Sequence, residues 1–391
     1  MMTTHQEVVD YKNISLFKGL NALRFFAAFL VILHHGETIK RKNGLEHFEW
    51  LGLFRNGGNA VTFFFVLSGF LITYLLLKER AKTGNINIRT FYLKRVLRIW
   101  PLYFLLVFIG TIGLPFLFQL LSVDYEMPYS LEQTWYYFLF FLPGLVTFYY
   151  GHHLLEPLWS IGVEEVFYLF WAPLFKFIKN HILQLLLMVI VLKSVLSLLA
   201  LFVFQNELFT YLLNLFQFEA MAVGGLGAFF LYSRKQSIDH LFIFKVPVQL
   251  LVLLTILLYL CFHTNIDNSI WNAIFKTSVL SPLLINFLYL YLIMSTSVVQ
   301  KSVLKLRNRV LGFLGEISYG IYMYHMLVIF GTLHFLKTAL IQMGAPWNHW
   351  VFYGVVILLT LLISVLSKFF FENYFLNLKE KLNKNAGTQQ R

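Results

Sequence analysis

Residues 59–98 read NAVTFFFVLSGFLITYLLLKERAKTGNINIRTFYLKRVLR. From Asn59 to Leu77 there is no charged side chain. A helix of that length crosses a hydrocarbon core of ~30 Å at ~1.5 Å per residue. The half that follows carries Lys78, Arg80, Lys82, Arg89, Lys94, Arg95 and Arg98. An apolar helix delivered into a basic loop reads as a span ending at the cytoplasmic face.

The pattern repeats along the chain of 391 residues, which is 58% hydrophobic and only 13% charged. Soluble domains carry about 25% charged residues, so composition excludes a soluble enzyme and a disordered or fibrous chain. The net charge of +12 lies in short clusters between apolar blocks, which points to bilayer orientation rather than nucleic-acid binding. Cys261 is the single cysteine, which excludes a disulfide framework and a cysteine-based metal site.

Ten apolar runs are read as spans: 18–36, 59–78, 98–121, 159–178, 183–204, 208–232, 245–263, 273–297, 316–340 and 349–374. Basic residues gather in 78–98, 176–182, 233–245, 298–315 and the tail. None occurs in 122–133, 150–158, 264–272 or 341–349, so both termini are expected in the cytoplasm. The segment 134–149, broken by Pro143-Gly144, lies between two loops without Lys or Arg. It is expected to enter and return, or to lie at the outer face, packed on other helices. Segment 37–57 is expected outside despite Lys40, Arg41, Lys42 and Arg55. Met1–Leu16 is polar and lacks a cleavable-signal pattern, so the first apolar run is expected to be retained. The fold class is an all-α polytopic bundle: a cytoplasmic segment 1–17, a membrane domain 18–376 and a basic tail 377–391.

Ionisable groups inside spans are costly, and each is a candidate for function. Arg24 and His35 are eleven residues apart, which places them on nearly one helix face, with the cation toward the cytoplasm. Interfacial snorkelling of Arg24 is the plain structural counter-reading. Arg95 and Arg98 share a face at the entrance of the third span, an arrangement suited to phosphate as well as to stop-transfer. Trp159-Ser160 is followed by Glu164 and Glu165; Ser160 and Glu164 share a face, and carboxyls entering an apolar helix suit acid–base work. Ser318, Tyr322 and His325 recur at i, i+4, i+7, forming one polar face. Ser68-Gly69 reads first as a helix-packing step. His152-His153 with Glu156 resembles a metal site only superficially, since adjacent histidines do not converge on one ion.

In order and spacing, these segments resemble the acyltransferase-3 family of integral membrane acyltransferases. The matching elements are Arg24–His35, Phe-Phe-Val-Leu-Ser-Gly-Phe at 64–70 and Arg95-x-x-Arg98 leading into Pro101-Leu-Tyr103. Trp-Ser-Ile-x-x-Glu-Glu-x-Phe-Tyr at 159–168 and Ser-Tyr-Gly-Ile-Tyr-x-x-His at 318–325 complete the set. Ile161 and Gly162 depart from the commoner residues. No appended secreted hydrolase-like domain is expected after the last span.

The resemblance implies transfer of an acyl group, usually acetyl from cytoplasmic acetyl-CoA, to a hydroxyl of an extracytoplasmic or lipid-linked carbohydrate. His35 and Glu164 are then the expected catalytic pair, with His35 as base. Arg24, Arg95 and Arg98 are the expected donor-binding groups. Trp159, Ser160, Ser318, Tyr322 and His325 are secondary candidates for substrate contact or oxyanion stabilisation. The expected partners are acyl-CoA, a glycan acceptor and membrane lipids, with no metal and no nucleic acid, in a bacterial inner membrane. The competing reading is a secondary transporter or flippase for an acidic or sugar substrate, against which the chain shows no repeated halves.

Overall fold

The computed structural model describes residues 10–123, 127–262 and 279–378. Helices run α1 Leu20–Lys42, α2 Gly57–Thr83, α3 Ile88–Phe108, α4 Leu114–Leu120, α5 Leu131–Leu139, α6 Pro143–Tyr150, α7 Leu158–Phe177 and α8 Ile182–Leu199. They continue as α9 Glu207–Leu215, α10 Phe218–Ser233, α11 Val246–Phe262, α12 Leu280–Ser297, α13 Arg309–Glu316, α14 Ser318–Met343 and α15 Trp347–Ser367. Among the described residues, nine helical stretches are long and apolar enough to cross a membrane. The seventh expected run, 245–263, appears as the 17-residue α11, and residues 273–278 of the eighth lie outside the described residues. The protein is therefore an integral, multi-pass helical membrane protein.

Helix ends follow local chemistry. The Asn87 side chain accepts the Thr90 N–H at 2.9 Å and starts α3 inside the basic segment. Gly84, at φ 75°, ends α2 with its N–H on the Arg80 carbonyl. Segment 134–149 forms two short helices, α5 and α6, of nine and eight residues. At about 13 Å and 12 Å each, neither can cross the hydrocarbon core.

The chain divides into two compact units that alternate along the sequence. The first comprises Met1–His34, Phe48–Ile86 and Leu174–Glu316; the second comprises His35–His47, Asn87–Pro173 and Ile317–Arg391. In the first, α10 packs on α2 at backbone distance. A Cβ at Gly69 would collide with the Met221 carbonyl, and one at Gly224 with the Val66 carbonyl. Ala220, Gly224 and Ala228 keep that face small, as lipid-embedded helices require for close approach. Residues 10–19 are docked against α2: the Tyr74 hydroxyl donates to the Tyr11 carbonyl at 2.8 Å and accepts the Ile14 N–H at 2.9 Å. Phe17 packs edge-on against Phe70 and Tyr74.

In the second unit, α14 and α15 pack together, and α3 and α7 carry the remaining polar motifs. The turn at 140–142, with Phe141 at φ 58°, sits against Gly162, where a Cβ would collide with the Phe141 carbonyl. Gly162 thus gives that turn room to approach α7. The expected external loop 37–57 begins later than the sequence suggested. α1 continues to Lys42, and Glu37 and Lys40 are wholly buried on it as an ion pair at 2.8 Å. Lys40 is accordingly a core group rather than a loop charge.

Candidate active site

α14 is polar on the face that carries Ser318, Tyr322 and His325, and all three are buried. His325 is one turn beyond Tyr322, so its Nδ1 reaches the Tyr322 carbonyl at 2.6 Å. Its Nε2 lies 2.8 Å from Nδ1 of His35, the rings stacked with centroids 5.0 Å apart. A carbonyl can only accept, so His325 Nδ1 carries a hydrogen, and in the neutral ring its Nε2 keeps a lone pair. His35 must then donate from Nδ1. The hydrogen-bond network thereby assigns the tautomer in which Nε2 of His35 is the basic nitrogen. Residues 290 positions apart in sequence form this pair.

The Tyr322 hydroxyl ties the same helix to α7. It donates to the Pro157 carbonyl at 3.0 Å and accepts from Ser160 Oγ at 2.8 Å. Trp159, next to Ser160, is half-buried. Deeper on α7, Glu164 Oε2 accepts the Tyr168 hydroxyl at 2.8 Å, and Glu165 Oε2 accepts the indole N–H of Trp100 at 2.8 Å. Arg95 lies beside two touching rings, 5.7 Å from Phe91 and 5.5 Å from Tyr168. Arg98, one turn on, is exposed. The Tyr319 hydroxyl donates to the Ile99 carbonyl at 2.9 Å, so α3, α7 and α14 are joined by side-chain hydrogen bonds.

Of the sequence candidates, His35, Ser160, Tyr322 and His325 therefore form one hydrogen-bonded group. Tyr168 links Arg95 with Glu164. Arg24 belongs to the first unit, where its Nη1 donates to Asn21 Oδ1 at 3.1 Å.

The two histidines of loop 150–158 diverge. Exposed His152 pairs with Glu156 at 2.8 Å, whereas His153 is buried between the Tyr129 hydroxyl and Thr147 Oγ1. Burial, reinforced by His152, pushes the His153 imidazole down to about 3 from its ordinary 6.5. Among the described residues, no group of three or more His, Cys, Asp or Glu side chains is placed to hold a metal.

Two features carried no sequence signal of their own. The partner of Glu165 is Trp100, which lies two residues beyond Arg98 and is not one of the charges that mark that segment. The other is a buried network just beyond His35: Lys40 Nζ lies 2.8 Å from Glu37 and 2.6 Å from His349 Nδ1, and the Tyr353 hydroxyl donates to Glu37. Glu37 and Lys40, three apart, resemble any loop pair until a helix buries them.

Comparison with known proteins agrees with these observations. "Putative peptidoglycan O-acetyltransferase YrhL" of Bacillus subtilis (strain 168) is 30% identical over 171 residues, which is 42% of this chain and 24% of that protein. "O-acetyltransferase OatA" of Staphylococcus aureus (strain NCTC 8325 / PS 47) is 29% identical over 170 residues, 42% of this chain and 25% of that protein. The matched region thus spans about a quarter of the length of these relatives. No solved structure matches. The sequence model of the acyltransferase-3 family, described as an acyltransferase domain, matches residues 17–368. With nine-tenths of its length matched and its polar motifs set within apolar helices, the chain belongs to the acyltransferase-3 family of membrane acyltransferases.

Proposed function

We propose that the protein is a membrane O-acetyltransferase that moves acetyl from cytoplasmic acyl-CoA to a hydroxyl of an extracytoplasmic or lipid-linked carbohydrate, in a bacterial inner membrane. The observation that carries this reading is the Tyr322 carbonyl–His325–His35 hydrogen-bond chain. It leaves His35 Nε2 as base and gives the resulting imidazolium a neutral acceptor at Nδ1, the service a carboxylate gives in hydrolase triads. In the proposed step His35 removes the acceptor proton, the oxygen attacks the thioester carbonyl, and the proton leaves with the CoA thiolate. Glu164 is proposed as a further electrostatic partner.

Arg95 and Arg98 are proposed for the donor; the same role for Arg24 rests on the resemblance alone. Trp159, Ser160 and Ser318 are proposed to face the acceptor. The named activities of the relatives favour O-acetyl transfer, and family membership favours it over the transporter reading. The test is purified protein in vesicles with radiolabelled acetyl-CoA, with and without peptidoglycan fragments. Label on the glycan supports the reading. Glycan flux without label transfer would support a transporter.

A further inference from the structure

Two buried polar atoms in the second unit have no hydrogen-bond partner among the described residues: Arg95 Nε, a donor, and Glu165 Oε1, an acceptor. Leaving either unmet in a low-dielectric interior is costly. Their charges act on one another, yet they make no direct ion pair among the described residues. Around them are flat apolar surfaces: Phe91 and Tyr168, in contact with each other, flank one side of the guanidinium, and Trp100, held by the other oxygen of Glu165, packs against Phe141 at 5.2 Å. One unmet buried donor and one unmet buried acceptor beside aromatic rings suit a ligand that is uncharged and carries a C=O beside an N–H. That description is a secondary amide on an alkyl chain. A phosphate fits badly there, because it would shed its water among aromatic rings and meet a carboxylate.

We propose that Arg95 and Glu165 bind an amide of the pantetheine arm of the acyl-CoA donor. The amide carbonyl accepts from Arg95 Nε, and its N–H donates to Glu165 Oε1. Exposed Arg98 is left for the donor's phosphates. The two arginines of the Arg-x-x-Arg motif thus read different parts of one molecule. The inference rests on the acyl-CoA reading above and extends it to Glu165, a side chain that reading does not use.

The test measures acetyl transfer with three donors: acetyl-CoA, the acetyl thioester of N-acetylcysteamine, which keeps one amide and no phosphate, and its ester analogue, in which oxygen replaces the amide N–H. The wild type is expected to prefer the amide over the ester by roughly tenfold or more in kcat/KM. Glu165→Leu is expected to lose that preference and to raise KM for acetyl-CoA by a similar factor with kcat little changed. Glu165→Gln, which retains an acceptor, is expected to restore most of it. Arg98→Gln is expected to weaken acetyl-CoA but not the phosphate-free thioester. A wild type that uses acetyl-CoA but treats amide and ester alike overturns this inference and leaves the donor reading standing, even if Glu165→Leu fails to fold. A wild type that takes acetyl from none of the three overturns both.

Discussion

At the scale of single residues, the site depends on which nitrogen holds a hydrogen. The Tyr322 carbonyl fixes His325, and His325 fixes His35. His325 is therefore expected to act as a positioning residue. His325→Phe should lower kcat roughly ten- to a hundredfold while KM for the donor holds, measured by steady-state acetyl transfer. Unchanged kcat in a folded variant would separate His325 from the base. Sequence made these residues visible by type and spacing, since a histidine inside an apolar run is costly without a purpose. It could not pair them, because stacking of His35 on His325 depends on how two distant helices meet. Glu165 shows the same limit. Its acidity was legible, whereas its bond to Trp100 and its unmet oxygen required the packing of α7 on α3.

Helices and turns bring their own constraints. The backbone contact of α2 with α10 has no room for a side chain at Gly224. Gly224→Val should destabilise the first unit by about 1–3 kcal/mol or block its folding, seen as a lower thermal midpoint in detergent. A midpoint equal to the wild type's would mean that this contact is looser than the structure shows.

The turn after α6 is held by neutral His153, whose folded pKa of about 3 lies below its unfolded value of 6.5. Between those values the unfolded chain binds more protons, so stability falls as pH drops through 6.5 and goes on falling toward 3. The loss is up to about 2 kcal/mol by pH 5. Melting curves from pH 7 to 5 should show it, and His153→Gln should flatten the dependence. A wild-type midpoint that does not move would contradict the buried, neutral assignment.

For the molecule as a whole, apolar runs and basic clusters were enough to read a polytopic helical bundle, because the bilayer imposes length and orientation directly on sequence. The end of α1 is not legible in the sequence, because Glu37 and Lys40 look like loop charges until they are paired and buried. The interleaving of two units was illegible because the chain passes between them within helices and short connections rather than at linkers. The brevity of α5 and α6 supports the proposal that 134–149 does not cross the membrane. Reporters fused after Leu121 and after Gly151 should therefore read out on the same side. Opposite readouts would overturn that topology.

His35 is the proposed base of an acetyl transfer. The most direct measurement is single-turnover transfer of radiolabelled acetyl from acetyl-CoA to a glycan acceptor by the purified wild type and by His35→Ala, each shown to be folded by its elution and melting profile. The expected result is transfer by the wild type and a loss of at least about a hundredfold in the variant. Transfer by folded His35→Ala at the wild-type rate would contradict it.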